Sequence, residues 1–388
     1  MSKELFSNPP ACFTTTIAHL CFDDALDRLR ELVRMKTSTR IVIVTGPTGA
    51  GKTTLRKQFA QELEAIAAQE IESNPEMVAF GSTSVKAPGP TAFSWKDTYI
   101  QLLISLQHPF AEHRAMAQGT NSQAPRTTAL KTMSPEAAQR SPNDRLFRIL
   151  QRTITHRQPK ALIFDEAHHL LRVASSQTLV NQLEHIKYIA DETNTLFVLF
   201  GTYELIKLMD LSSALIRRRE VVHFSRYVYD AKDPAQSLEP FAKVVAVFAA
   251  DLDEICSVSL LEEVPYLYQG SVGCIGVLRD WLFRAWCRTK SPGGRKITKS
   301  VLEQTILAAS DRLELITETL DGEKYFTNRS LCETDYLTRL GFLPADSSSP
   351  SDEQHHASSK RKRKPGERNP HHDPVGTKHL DPTARRAA

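Results

Sequence analysis

The sequence lacks any apolar run approaching the ~18 residues that a membrane-crossing helix needs. Met1 to Pro10 lack the charged-then-apolar layout of a secretory leader. Six cysteines (Cys12, Cys21, Cys256, Cys274, Cys287, Cys332) are scattered without Cys-x-x-Cys spacing, which argues against a zinc site and a disulfide framework. A reducing cytoplasm and no membrane partner are the expectation. Charge of one sign is scarce too: 49 Lys and Arg against 45 Asp and Glu leave a net charge of +4, which neither demands nor excludes a nucleic-acid partner. Internal repeats are missing. What remains is a chain of 388 residues, 41% apolar and 24% charged, long enough for two or three domains and a sizeable core.

Strand-like and helix-like stretches alternate over the first part of the chain. Residues 17–36 place Ile17, Leu20, Ala25, Leu29, Leu32 and Val33 at helical spacing. The β-branched run Ile41-Val42-Ile43-Val44 ends in Gly46-Pro47, a buried strand entering a turn. A helix from Lys52 to about Ala68, a strand at Met77–Phe80 and a helix from Lys96 to Leu106 follow. Residues 107–143 lose the apolar period and read as a mobile surface insertion, after which Asn143 is positioned to cap a helix through Arg152. Further strands are expected at Ala161–Phe164, Leu196–Phe200 and Val221–Phe224. This alternation predicts a parallel sheet covered on both faces. From Leu238 to Leu315 the pattern is wholly helical, with helices centred on Val244–Leu252, Val277–Ala285 and Val301–Leu313. Beyond Asp346 the chain is Ser, Pro, His and charge, including Lys360-Arg361-Lys362-Arg363-Lys364, too poor in apolar residues to offset the entropy of ordering. The expected organisation is an N-terminal segment (1–36), an α/β core (37–232), a helical lid (233–320), an extension (321–345) and a disordered basic tail (346–388).

Gly46-Pro47-Thr48-Gly49-Ala50-Gly51-Lys52-Thr53 matches G-x-x-x-x-G-K-[ST] between a strand and a helix. Glycines let backbone N–H groups wrap phosphates, and the helix that follows turns its positive end towards them. Lys52 is the partner for the β and γ phosphates, the Thr53 hydroxyl a magnesium ligand, and Thr54 the next residue of the nucleotide-binding segment. ATP and Mg²⁺ are therefore the expected cofactors. Ala161-Leu162-Ile163-Phe164-Asp165-Glu166 is an apolar strand ending in adjacent carboxylates. Asp165 is the magnesium partner and Glu166 the general base for an attacking water; an acidic helix cap is the structural alternative. Thr202, after the strand Leu196–Phe200, is the candidate γ-phosphate sensor. Among Arg217-Arg218-Arg219, Arg218 is the candidate finger for a neighbouring active site.

The order of these parts resembles AAA+ ATPases: a full P-loop, Asp165-Glu166-Ala167-His168-His169, Phe200-Gly201-Thr202-Tyr203-Glu204-Leu205, then Ala214-Leu215-Ile216-Arg217-Arg218 and a helical segment. More narrowly, Val221 to Tyr227 and the glycine-led Gly270 to Leu282 look like the TnsC/TniB-type regulators of DNA transposition. The resemblance covers roughly residues 15–315. It implies an AAA+ core with a five-stranded parallel sheet, a small all-α lid and a disordered C-terminal tail, with Arg218 as finger and Thr202 as first sensor. Arg279 is the nearest second-sensor candidate, on a helix face expected to point outward. The family implies slow ATP hydrolysis stimulated by DNA or a partner, and assembly of the chain with itself as a ring or helical filament on double-stranded DNA. It also implies a target-selector protein, a transposase reached through the tail, and a bacterial cytoplasmic location, nucleoid-associated on DNA. DNA would be held by its phosphates, with Lys86, Trp95 and Lys96 as candidate contacts. A replication-initiator-like AAA+ protein and a signalling P-loop ATPase acting without DNA are the alternatives. A small-molecule kinase fits less well, because the paired carboxylates suit water as acceptor.

Overall fold

A computed structural model describes residues 9–35, 39–87, 93, 95–107, 140–171, 176–208, 219–290, 296–331, 336–338 and 340. Most of the predicted insertion, the tail, Arg217 and Arg218 lie outside the described residues. The elements that follow belong to one unit, Met1–Leu331.

Strand β1 (Ile41–Thr45) is buried at every position, which suits β-branched residues inside a sheet covered on both faces. It pairs in parallel with β4 (Leu196–Gly201) on one side and β5 (Arg219–His223) on the other. Strand β3 (Ala161–Asp165) joins β4 to β2 (Phe80–Ser84), giving the order β2-β3-β4-β1-β5. Successive side chains divide between the two faces. Ile41 and Ile43 pack with α4 (Trp95–Ser105), α5 (Asn143–Arg157) and α6 (Ser176–Thr193). Val42 and Val44 pack with Leu26 and Leu29 of α2 (Leu20–Arg34) and Leu55 and Phe59 of α3 (Lys52–Ser73). The short helix α1 (Ala11–Thr14) precedes α2.

The helices after β5, the segment expected as a lid, have a core of their own. Phe241, Val245 and Phe248 of α7 (Pro234–Leu252) meet Leu267 of α8 (Val264–Ser271), Trp281 and Leu282 of α9 (Ile275–Thr289), and Leu302 of α10 (Lys299–Thr305). The last helix, α11, runs Ala309–Leu331.

Several boundaries differ from expectation. The strand placed at Met77–Phe80 begins at Phe80 and runs to Ser84; Met77 and Ala79 bury themselves against Ala67 of α3 instead. Asn143 is the first helical residue, since Pro142 takes the cap position, and the helix reaches Arg157. The helix centred on Val301–Leu313 is two, because Ile306 turns extended (φ −62°, ψ 150°). Helix α8, which was not anticipated, is a separate two-turn element.

Candidate functional site

β1 delivers Gly46 to the carboxyl end of the sheet, where open α/β sheets bind ligands. Gly51 caps α3 at φ 106°, a conformation that an L side chain strains to adopt, and no side chain caps the helix. Among the described residues, the N–H groups of Gly49, Gly51, Lys52 and Thr53 donate to no backbone carbonyl, whereas Thr54 and Leu55 donate to the Gly51 carbonyl. Four free donors converging at a helix N-terminus form a cradle for an anion. Lys52 Nζ folds onto its own loop, donating to the Gly46 and Pro47 carbonyls at 2.9 and 2.8 Å. Burial pushes its ammonium down to about 8, a cost that bound phosphate would relieve.

β3 ends beside this cradle, separated from β1 only by β4. Asp165 Oδ1 accepts the Glu166 N–H at 3.0 Å, and Arg56 Nε of α3 lies 2.8 Å from Oδ2, off the line of a well-aligned hydrogen bond. Glu166 adopts φ 51° with its side chain 47% exposed, so it is open to water. His168 Nδ1, otherwise buried, approaches Glu166 Oε2 at 3.4 Å. β4 lies between β3 and β1, which puts Thr202 at the same end of the sheet; the Thr45 hydroxyl donates to the Thr202 carbonyl at 2.8 Å and ties the two strand ends together. Thr53 and Asp165 offer hydroxyl and carboxylate oxygens, the hard donors that Mg²⁺ takes. With both Asp165 oxygens engaged, the residues fit a metal reached through water or after Arg56 withdraws.

A cleft adjoins the cradle. One wall is Ile17, His19 and Phe22, another is Ala50, Gly51 and Thr54, and the third is Ile275, Gly276 and Arg279 at the start of α9. Apolar and aromatic side chains among the walls, beside a phosphate cradle, suit a nucleobase. His19 stacks on Phe224 at 6.2 Å between ring centroids, its Nδ1 lies 3.2 Å from the Tyr227 hydroxyl, and burial lowers its pKa to about 4. A Cβ on Gly276 would stand 2.4 Å from the Gly49 carbonyl, so the lid helix rests directly on the P-loop. Arg279 thus lines the cleft, in contrast to the outward position expected for it; its side chain is 40% exposed, with Nε 3.6 Å from Asp280.

Sequence reasoning missed His19, Phe22, Arg56 and Gly276 at this site. A polar residue four positions after Lys52 was a visible signal for Arg56, one turn along the same helix face. Lys86 is exposed, while the Trp95 ring stacks on Tyr99 and meets His185 edge-on, in an aromatic cluster against the core.

Residues 34–209 match a family model described as AAA domain. No curated protein matches the chain significantly. Among solved structures, a Walker-type ATPase of Pyrococcus abyssi is 15% identical over 84% of this chain and 80% of its own, with a TM-score of 0.46. The ORC2 protein of Aeropyrum pernix, solved in ADPNP–ADP complexes, is 15% identical over 79% of this chain and 70% of its own (TM-score 0.48). The ORC1 protein of the same organism, solved in complex with DNA, is 12% identical over 79% and 67% (TM-score 0.42). The stretch that matches the AAA domain model, residues 34–209, holds the P-loop and four of the five strands of the parallel sheet.

Proposed function

We propose that this chain binds and hydrolyses ATP with Mg²⁺ and works as a nucleotide-controlled switch. The observation that carries this reading is the convergence, at one end of the sheet, of the cradle before α3, the Asp165-Glu166 pair and the end of β4, with a cleft walled by His19, Phe22 and Ile275 alongside. The cradle and Lys52 hold the phosphates, and His19 and Phe22 flank the base. Mg²⁺, held by Thr53 and Asp165, would neutralise phosphate charge. Glu166, exposed and off the metal carboxylate, takes the proton of the attacking water, while Thr202 orients the γ-phosphate. Arg279 lies where it can read the nucleotide from the lid.

Lys52→Ala is expected to abolish binding of a fluorescent ATP analogue, and full retained affinity would overturn the site. Glu166→Gln keeps binding and slows turnover by about 10²-fold or more, the usual contribution of a general base; unaltered turnover removes Glu166 from that role.

The finer reading rests on the order of motifs. The chain assembles on double-stranded DNA in its ATP state, with Arg218 completing a neighbour's site, and links target selection to a transposase reached through the tail. Exposed Lys86 is the clearest of the three suggested DNA contacts. Electron microscopy with double-stranded DNA tests it. Rings or filaments with a non-hydrolysable analogue and none with ADP support it. Monomers in both states would leave an ATPase that signals through protein partners.

A further inference from the structure

The end of β3 carries two histidines for which the proposed reaction has no use. Glu166 turns the chain at φ 51°, and the His169 N–H closes that turn on the Glu166 carbonyl at 3.0 Å. The 3₁₀ turn that follows, Ala167–Leu171, sets His168 beside His169 with 4.2 Å between ring centroids. One nitrogen of each histidine and a Glu166 oxygen lie within 4.8 Å of one another. The neighbouring strand holds this turn in place. A Cβ on Gly201 of β4 would stand only 3.2 Å from the His168 backbone nitrogen, so the turn packs directly on the strand that leads to Thr202.

His168 is the informative member. Its side chain is 10% exposed, and its Nδ1 is fully buried without a hydrogen-bond partner. Buried polar atoms are normally satisfied, so an orphaned ring nitrogen asks for a ligand. Glu166 Oε2 lies 3.4 Å away, too far for a good hydrogen bond. That separation is instead the edge of a tetrahedron of metal ligands: zinc bonds of ~2.0–2.1 Å to nitrogen and oxygen set the donors roughly 3.3–3.4 Å apart. Glu166 is exposed and His169 half-buried, which gives an ion a path in from solvent. Imidazole donors select zinc and its neighbours over magnesium, whereas the proposed magnesium donors, Thr53 and Asp165, are oxygens. The scattered cysteines argued against a thiolate site; the donors here are imidazoles and a carboxylate.

We propose that Glu166, His168 and His169 bind a zinc-class divalent ion, with a fourth position left to water, and that this ion brakes ATP hydrolysis. A Glu166 lone pair committed to the metal no longer accepts the proton of the attacking water. The metal site stands on the cluster alone, while the brake also rests on the general-base reading of Glu166.

The experiment uses the full chain, stripped of metal with a chelator, and reads Co²⁺ binding by its visible absorption in millimolar Mg²⁺. The tail carries two more histidine pairs, His355-His356 and His371-His372, so the readout is the difference between the natural chain and its variants. The natural chain should bind one more Co²⁺ than His169→Gln or Glu166→Gln, and Zn²⁺ should displace it. Micromolar Zn²⁺ added to Mg·ATP should slow turnover of the natural chain at least about tenfold. His169→Gln should need at least about tenfold more Zn²⁺ for the same fractional loss. Co²⁺ spectra and stoichiometry alike in the natural chain and both variants overturn the site. Binding that the variants lose, with turnover indifferent to Zn²⁺, overturns the brake. Metal-free Glu166→Gln turning over as fast as the natural chain overturns the general-base reading, a separate failure.

Discussion

Asp165 has two claimants. The guanidinium of Arg56 sits against its carboxylate, and both side chains are largely buried, 20% and 14% exposed. In the proposed site Mg²⁺ would take the same oxygens, so Arg56 and the metal would oppose one another in a way that the sequence motif alone does not reveal. Removing the arginine leaves a largely buried carboxylate without its cation, which costs roughly 3 kcal/mol or more where no ion replaces it. Arg56→Gln should therefore lower the melting temperature in EDTA, recover most of the loss in millimolar Mg²⁺, and lower several-fold the Mg²⁺ concentration at half-maximal ATPase activity. A magnesium titration of melting and turnover measures all three. An unchanged magnesium midpoint would mean that Arg56 and the metal do not compete. At this scale the sequence was informative where chemistry is local. Gly46 to Thr53 and Asp165-Glu166 are contiguous, so the proposed phosphate and metal roles could be read from spacing alone. Arg56, His19 and Phe22 were hidden because their roles depend on which distant surface each side chain meets.

Elements show the same division. The central strands β1, β3 and β4 were visible as apolar runs, because a strand buried on both faces has no polar alternation to keep. Edge strand β2, Phe-Gly-Ser-Thr-Ser, was misplaced by three residues, because Met77 and Ala79 were more apolar than the strand itself. The cleft was not legible at all: its walls come from the α1–α2 region, the P-loop and α9, the last more than 200 residues from the other two. The joint between those walls makes a prediction of unusual sign. Gly276 lies in the first turn of α9, where alanine normally improves a helix by about 1 kcal/mol. Here the new Cβ would stand 2.4 Å from the Gly49 carbonyl, a backbone atom that cannot swing aside. Gly276→Ala is therefore expected to weaken ATP-analogue binding at least about tenfold and to lower stability by about 1–3 kcal/mol, the usual cost of overpacking. Equal affinity with a raised melting temperature would show that the lid does not rest on the P-loop.

At the scale of the whole unit, two half-buried histidines sit where separate elements meet. The lid core reaches into α1 through Cys12, whose N–H donates to Asp251 at 2.6 Å, and α2 then packs on the α/β core. His19 sits between them against Phe22, Phe224 and Tyr227. His223 sits at the other junction, between Tyr203 and Phe326. Burial lowers the pKa of both from 6.5 to about 4. The unfolded chain thus binds more protons than the folded one between those values, so stability is full above about pH 6.5 and falls as the pH drops towards 4. At pH 5 the loss is roughly 1–2 kcal/mol for each histidine, reduced by whatever solvent reaches the rings. The melting temperature of the natural chain should decline steadily from pH 7 to 5, before most carboxylates titrate. His223→Gln, which keeps a hydrogen-bonding group for Tyr203 but cannot take up a proton, should start lower and lose less over the same interval. The informative quantity is the slope, because a mere loss of packing shifts the whole curve without flattening it. Parallel curves for the two proteins would mean that His223 titrates alike in the folded and unfolded chains. A flatter curve would place a proton-sensitive contact at the junction where α11 meets the sheet.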